Sequence, residues 1–207
     1  MKTVCLFGSS HFKYLGRFDC KRRKNLVKIH EIAGEKVKFI YKHFSGKSFD
    51  YFIDRPHLIN KVLQTKPDYL IVLFGGNSIS LDKSNKDLLL ECRVFYELVA
   101  DKLKTVDSST KLIAHQVPLR FNRDKNNWFR TPPPDQYKKV RDKLNDKIKN
   151  LKCRNYMITV GGPGRLDDEK YFFDGTHLDN EGLKIHSAII IEKIRSIISL
   201  EQKGLVN

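Results

Sequence analysis

Three short segments of the chain carry residue types suited to acyl transfer: Gly8-Ser9-Ser10, Gly75-Gly76-Asn77-Ser78 and Asp174-Gly175-Thr176-His177. A serine between a buried strand and a following helix presents its hydroxyl at a helix N-terminus. There the adjacent backbone N–H groups can stabilise an oxyanion. Asn77 offers a neutral side-chain donor, on a loop whose glycines let the backbone turn tightly and approach a ligand. A carboxylate three residues before a histidine, as in Asp174 and His177, can fold back onto the imidazole, fix its tautomer and stabilise the imidazolium. Each segment taken alone has a plainer reading: Ser9 or Ser10 as a helix cap, Gly76-Asn77 as a turn, His177 as a solvated side chain beside a capping turn. Together they supply a nucleophile, a base, an orienting acid and oxyanion donors, the parts an acyl-transfer site needs.

The elements that must hold these segments alternate between short apolar runs and longer amphipathic stretches. Residues 4–7, 36–44, 69–74, 112–117 and 156–160 read as strands. Residues 50–63, 84–106, 135–151 and 181–200 read as helices. Leu88, Cys92, Phe95, Val99 and Leu103 recur at helical spacing, Ser84 with Asp87 resembles a capping box, and Ile190, Ile194, Ile197 and Ile198 fall on one face of the last helix. This order predicts an α/β fold of one domain over residues 1–207, with a mostly parallel five-stranded sheet flanked by helices. In such sheets sites form beyond the carboxyl ends of the strands, so the serine and asparagine loops are expected on one edge.

With these segments in place, Gly8-Ser9-Ser10, Gly46, Gly75-Gly76-Asn77 and Asp174-Gly175-Thr176-His177 resemble the four motif blocks of the SGNH hydrolase superfamily, the GDSL-like esterases and lipases. The blocks reach from Gly8 to Gly182, and the run from Asp174 to Gly182 is their most specific part. The resemblance implies a flavodoxin-like three-layer α/β/α sandwich, ester hydrolysis through an acyl-serine, and no metal or organic cofactor. It assigns Ser10 as nucleophile, His177 as base and then acid, and Asp174 as its orienting partner. The Ser10 N–H, the Gly46 N–H and the Asn77 side chain become the oxyanion hole. Gly34 is an alternative to Gly46, but it precedes the 36–44 run and is expected at the opposite edge. Two positions depart from the pattern. Ser9 and Ser78 stand where the family has aspartates that support the loops, and such support holds catalytic geometry.

The chain has 207 residues, 40% of them apolar, and a formal charge of +15. That length and content suit one sizeable core, and the charge favours anionic partners. Residues 11–30 include Lys21-Arg22-Arg23-Lys24, and the 119–134 loop interleaves Arg120, Arg123, Lys125 and Arg130 with Phe121, Trp128 and Phe129. Three readings follow: a solvated lysine-rich surface, a lid over the site, or a surface for single-stranded nucleic acid or acidic membrane. As a lid, the loop makes Arg120, Trp128 and Phe129, with Gly76, the candidate contacts for a small ester substrate, anionic or lipid-like. In class and charge the chain is also similar to the SGNH esterase domains encoded by some LINE-type retrotransposons. The rival of a different class is an SGNH-fold binding protein with little catalysis. Cys5, Cys20, Cys92 and Cys153 lack zinc-site spacing and read as reduced, mostly buried thiols. With no signal-peptide core or membrane span, the expected location is intracellular. His11 follows the nucleophile loop and reads as a solvated loop residue, with lining the site as the alternative, and His186 reads as a structural residue of the last helix.

Overall fold

Residues 4–7 and 69–74 are continuous apolar runs, which only a strand covered on both faces can bury. In the computed structural model they lie side by side at the centre of a sheet. The structure describes residues 1–20, 27–106, 109–121, 130–151, 157–160 and 166–205. The strands are β1 (Lys2–Gly8), β2 (Val27–Ile32), β3 (Glu35–His43), β4 (Tyr69–Leu73), β5 (Lys111–His115) and β6 (Met157–Val160). They form one six-stranded sheet in the order β2-β3-β1-β4-β5-β6. All neighbours are parallel except β2 and β3. The five expected strands are thus present and parallel, and the expected count of five is corrected by an antiparallel edge strand. Residues 27–32 alternate Val-Lys-Ile-His-Glu-Ile, and only Ile32 is buried. No apolar run announces such a half-solvated edge. Ala33 and Gly34, with φ of 52° and 77°, close its two-residue hairpin.

Alternate strand residues feed two cores. Cys5, Phe7, Leu70, Val72, Leu112 and Ala114 pack against α2 (Phe49–Ile53), α3 (His57–Leu63), α4 (Asn85–Val106) and α5 (Pro134–Lys149). Val4, Leu6, Tyr69, Ile71 and Ile113 face α1 (Ser10–Asp19) and α6 (Asn180–Gln202). The helix expected over residues 50–63 is two helices, because Pro56 cannot donate to a helical ladder and restricts Arg55 before it. The capping reading at α4 holds: Ser84 Oγ accepts from the Asp87 N–H and donates to its carboxylate. The spaced apolar residues of α4 and the four isoleucines of α6 are buried, as are Cys5, Cys20 and Cys92. Burial pushes the Cys5 thiol up to about 12. Cys153 lies outside the described residues. Among the described residues no helix is long and apolar enough to cross a membrane.

The two edges of the sheet differ. At the amino ends of β1, β4 and β5, the Glu201 carboxylate accepts from Lys2 Nζ, Tyr69 Oη and Lys111 Nζ at 2.6, 2.6 and 2.7 Å. Partial burial opposes the charge on Glu201, but these bonds outweigh it and hold the carboxyl at about 2. At the carboxyl ends, Gly8 pairs with His43 on one side and Leu73 on the other. The loops after β1, β3 and β4 therefore start level, on the expected edge. Gly34 lies at the opposite edge, before β3.

Candidate active site

The carboxyl ends of β1, β3 and β4 are clamped from below by one aromatic cluster. The Phe52 ring of α2 lies 5.2 Å from Phe7, 5.2 Å from Phe44 and 4.7 Å from Phe74, centroid to centroid. Each of these three rings sits two or three residues before a candidate site residue: Phe7 before Ser10, Phe44 before Gly46, Phe74 before Asn77.

Gly8 lets α1 begin directly on the strand end. A Cβ there would stand 2.5 Å from the Phe12 ring and 2.8 Å from the Leu73 carbonyl oxygen. The Ser9 N–H donates to Leu73 O at 3.0 Å, which ties the turn to β4. Ser9 occupies the N-cap position, but its side chain caps nothing; its Oγ lies 3.4 Å from His11 Nδ1. Ser10 opens α1, and its hydroxyl is taken by a residue far along the chain. Ser10 Oγ lies 3.0 Å from His177 Nε2.

His177 comes from the loop before α6, which is pinned at both ends. The Phe172–Leu178 bridge and the bond from Phe173 N–H to His177 O close it, and the Phe121 N–H donates to Gly175 O. Gly175, at φ 72°, supplies the left-handed step. One oxygen of Asp174 accepts the N–H groups of Thr176 and His177, at 2.8 and 2.6 Å; the other lies 2.6 Å from His177 Nδ1. An ionised carboxylate only accepts, so Nδ1 carries the proton and Nε2 is left to accept from Ser10. Partial burial would raise the Asp174 carboxyl, but the bonds from the His177 ring and the two N–H groups outweigh it and lower it.

Asn77 lies within a turn in which the Ser78 and Ile79 N–H groups donate to Gly75 O. Gly75 sits at φ 115°, where a Cβ would press on Leu144, so glycine is required. Asn77 Nδ2 donates one hydrogen to Lys47 O at 3.2 Å, and its Oδ1 accepts from Arg120 Nη2. Gly46, at φ 72°, takes the third position of the turn that Lys47 N–H closes onto Phe44 O. Gly76 lies against Arg120 Nη2 and the Tyr137 hydroxyl, 3.2 and 3.3 Å from where its Cβ would stand. Of the two serines at the positions that depart from the motif pattern, Ser78 supports its loop with an Oγ that accepts the Phe49 N–H at 3.0 Å, whereas Ser9 is tied to Leu73 by its backbone N–H.

The structure thus brings Ser10, Asp174 and His177 into one hydrogen-bonded chain, with Asn77 and Gly46 on the adjoining loops of the same edge. Arg120, expected as a substrate contact, bonds Asn77. Trp128, Phe129, Lys21-Arg22-Arg23-Lys24, Arg123 and Lys125 lie outside the described residues. The solvated reading of His11 is corrected: it is 4% exposed within α1. Burial first, then the charges of Arg120, His177 and His115, hold it neutral down to about 3. His186 is fully buried, and its Nε2 meets His115 Nε2 at 2.9 Å. Two neighbours of the imidazole, Tyr14 and Phe173, escaped the sequence reading, and His11 stands beside them. Tyr14 lies 4.7 Å and Phe173 5.9 Å from the His177 ring, and His11 lies 6.1 Å from it. Tyr14 had a signal, since it stands four residues after Ser10 on one helix face.

No protein-family model matches the sequence, and no curated protein matches it. Solved structures do match. A lipase/acylhydrolase from Enterococcus faecalis aligns with a TM-score of 0.59 at 20% identity, over 95% of this chain and 96% of that one. A GDSL-like lipase from Bacteroides thetaiotaomicron aligns with a TM-score of 0.60 at 18% identity, over 93% and 89%. A carbohydrate esterase of family 3 from Talaromyces cellulolyticus gives 0.63 at 15%, over 96% and 99%. The resemblance read from the four motif blocks therefore holds in three dimensions: the chain has the α/β fold of the SGNH-type, GDSL-like lipases, acylhydrolases and esterases.

Proposed function

We propose that the protein is a serine ester hydrolase that works through an acyl-serine intermediate. The observation that carries this reading is the chain from Ser10 Oγ to His177 Nε2 at 3.0 Å and from His177 Nδ1 to Asp174 at 2.6 Å, set at the first turn of a ten-residue helix. His177 takes the Ser10 proton as Oγ attacks the ester carbonyl. The developing oxyanion is received by the N–H groups of Ser10 and Gly46 and by the second Nδ2 hydrogen of Asn77. His177 then returns the proton to the leaving alcohol, activates a water, and the acid is released. The order of the five parallel strands supports the flavodoxin-like form of the fold. The substrate class is a small acyl or acetyl ester, the cysteines are reduced, and the location is intracellular.

The test is hydrolysis of p-nitrophenyl acetate by wild type and Ser10→Ala, with organophosphonate labelling of the intact protein. Ser10-dependent turnover, with the label on Ser10, is the expected result. Equal background rates from two folded proteins would remove the hydrolase reading.

A second reading has its own observation. The outer side of α5 exposes Lys138, Lys139, Lys143 and Lys149 on a chain of formal charge +15. A basic surface of this kind binds nucleic acid or acidic membrane with a steep salt dependence. Such binding would survive Ser10→Ala, and a flat salt response would dismiss it.

A further inference from the structure

Among the described residues two arginines are buried, and they differ in what meets their charge. Arg141, 1% exposed, is held by Asp142 and Asp167. Arg120, 6% exposed, meets no carboxylate among the described residues. Its Nη2 donates to Asn77 Oδ1, its Nε has no partner, and the Tyr137 ring lies 5.8 Å from its guanidinium carbon. A buried, unpaired cation is costly, and a neutral donor would hold the Asn77 amide equally well. The charge is also felt beside the candidate nucleophile, where it helps keep His11 neutral.

We propose that Arg120 is a positioning residue of the oxyanion hole, acting through Asn77; this rests on the hydrolase reading above. A guanidinium only donates, so Oδ1 of Asn77 must face it and Nδ2 must face the other way. The Lys47 carbonyl takes one Nδ2 hydrogen and leaves the second for the oxyanion. The bond from a cation polarises the amide and strengthens its N–H as a donor. The buried positive charge is then compensated when the oxyanion forms, and it needs no rearrangement at that moment.

The test compares wild type, R120M, R120K, N77A and the R120M/N77A double variant on p-nitrophenyl acetate, with S10A as the blank and melting curves as the folding control. R120M should lose about 10- to 100-fold in kcat, the size of a charge-assisted hydrogen bond, with KM within about twofold. N77A should lose at least as much, and the double variant no more than N77A, because the two side chains act as one unit. R120K should restore part of the loss. Multiplying losses in the double variant, or a raised KM with unchanged kcat, would overturn the proposal and make Arg120 an independent substrate contact. If R120M does not fold, the same cycle runs with R120K: it should slow wild type and leave N77A unchanged, and equal slowing in both backgrounds overturns the idea. Turnover no faster than S10A removes the hydrolase reading and this inference together. Turnover that needs Ser10 and ignores Arg120 removes this inference alone.

Discussion

Ser78 Oγ accepts the Phe49 N–H at 3.0 Å, and this bond joins the loop carrying Asn77 to the loop carrying Gly46. Phe49 opens α2, whose N-cap residue, Ser48, makes no side-chain capping bond, so Ser78 caps this helix from outside. Ser78→Ala should leave a buried N–H unsatisfied and cost about 1–3 kcal/mol of stability. Urea unfolding measures that cost. Because the bond joins the two loops that flank the candidate oxyanion hole, kcat on p-nitrophenyl acetate should fall with KM nearly unchanged. A loss of stability with full kcat would confine Ser78 to folding.

Phe52 reaches the same loops from beneath. Its ring touches Phe7, Phe44 and Phe74, the residues that lead into Ser10, Gly46 and Asn77. Phe52→Ala should cost about 3–5 kcal/mol, as large-to-small changes in closed cores do. Phe52→Leu keeps most of the volume but loses five edge or tilted ring contacts, to Phe7, Phe44, Tyr51, Phe74 and Phe95, each worth about 0.5–1.5 kcal/mol. The leucine variant should stay folded, melt lower, and turn over more slowly than wild type. Full activity in a folded Phe52→Leu protein would show that the site loops hold themselves.

The parts of this architecture that were legible in the sequence are those with dense local signals. The β1 and β4 runs, bounded by Gly8 and Gly75, are apolar on both faces, and β5 and β6 repeat that pattern more briefly. The three-residue spacing of Asp174 and His177 leaves the carboxylate little choice of partner. β2 is not legible, because an edge strand with charged alternate residues leaves no apolar run. The 50–63 stretch reads as one helix up to the break at Lys66-Pro67-Asp68, but Pro56 divides it earlier. Arg120 reads in the sequence as a basic loop residue and a candidate substrate contact. Its bond to Asn77 spans 43 residues and depends on the β4–β5 adjacency, which local pattern does not encode. The buried state of His11, His115 and His186 is likewise a product of packing between α1, β5 and α6.

Asp174 offers a sharper test of the catalytic reading. One of its oxygens already accepts two backbone N–H groups, from Thr176 and His177. In Asp174→Asn the amide oxygen must stay on those donors, so the NH2 group is forced toward His177 Nδ1. That nitrogen then has to accept, Nε2 becomes protonated, and it can no longer take the Ser10 proton. A fall of about 10⁴ in kcat is expected from this tautomer change, with the fold intact. Rotation of the new amide cannot repair the site, because it would turn the NH2 onto two N–H donors. Near-normal turnover by Asp174→Asn would show that His177 is not oriented by this carboxylate.

The buried histidines set how stability depends on pH. His11 and His115 are held neutral to about 3 and about 4, and His186 well below its ordinary value, in each case chiefly by burial. The geometry agrees. His115 Nδ1 donates to Gln116 O, so its Nε2 accepts from His186 Nε2, and His186 Nδ1 is left buried without a partner. In the unfolded chain these imidazoles take up protons near pH 6.5. Below that pH the unfolded state binds protons that the folded state refuses, so stability falls as the pH falls. Glu201 acts in the same direction at lower pH. Its folded value of about 2 lies under the ordinary 4.5, so its contribution is intact above about 4.5 and disappears toward 2. The window from 6.5 to 4.5 therefore isolates the histidines. Urea midpoints across it should drop steeply, with about three protons taken up on unfolding by these buried histidines and a smaller part by His30 and His43, whose values are also lowered, chiefly by partial burial. His186→Leu should lower that uptake by about one proton, even though it strips His115 of its donor and weakens the fold at every pH. An unchanged slope in a folded His186→Leu protein would mean that His186 is protonated within the fold over this range.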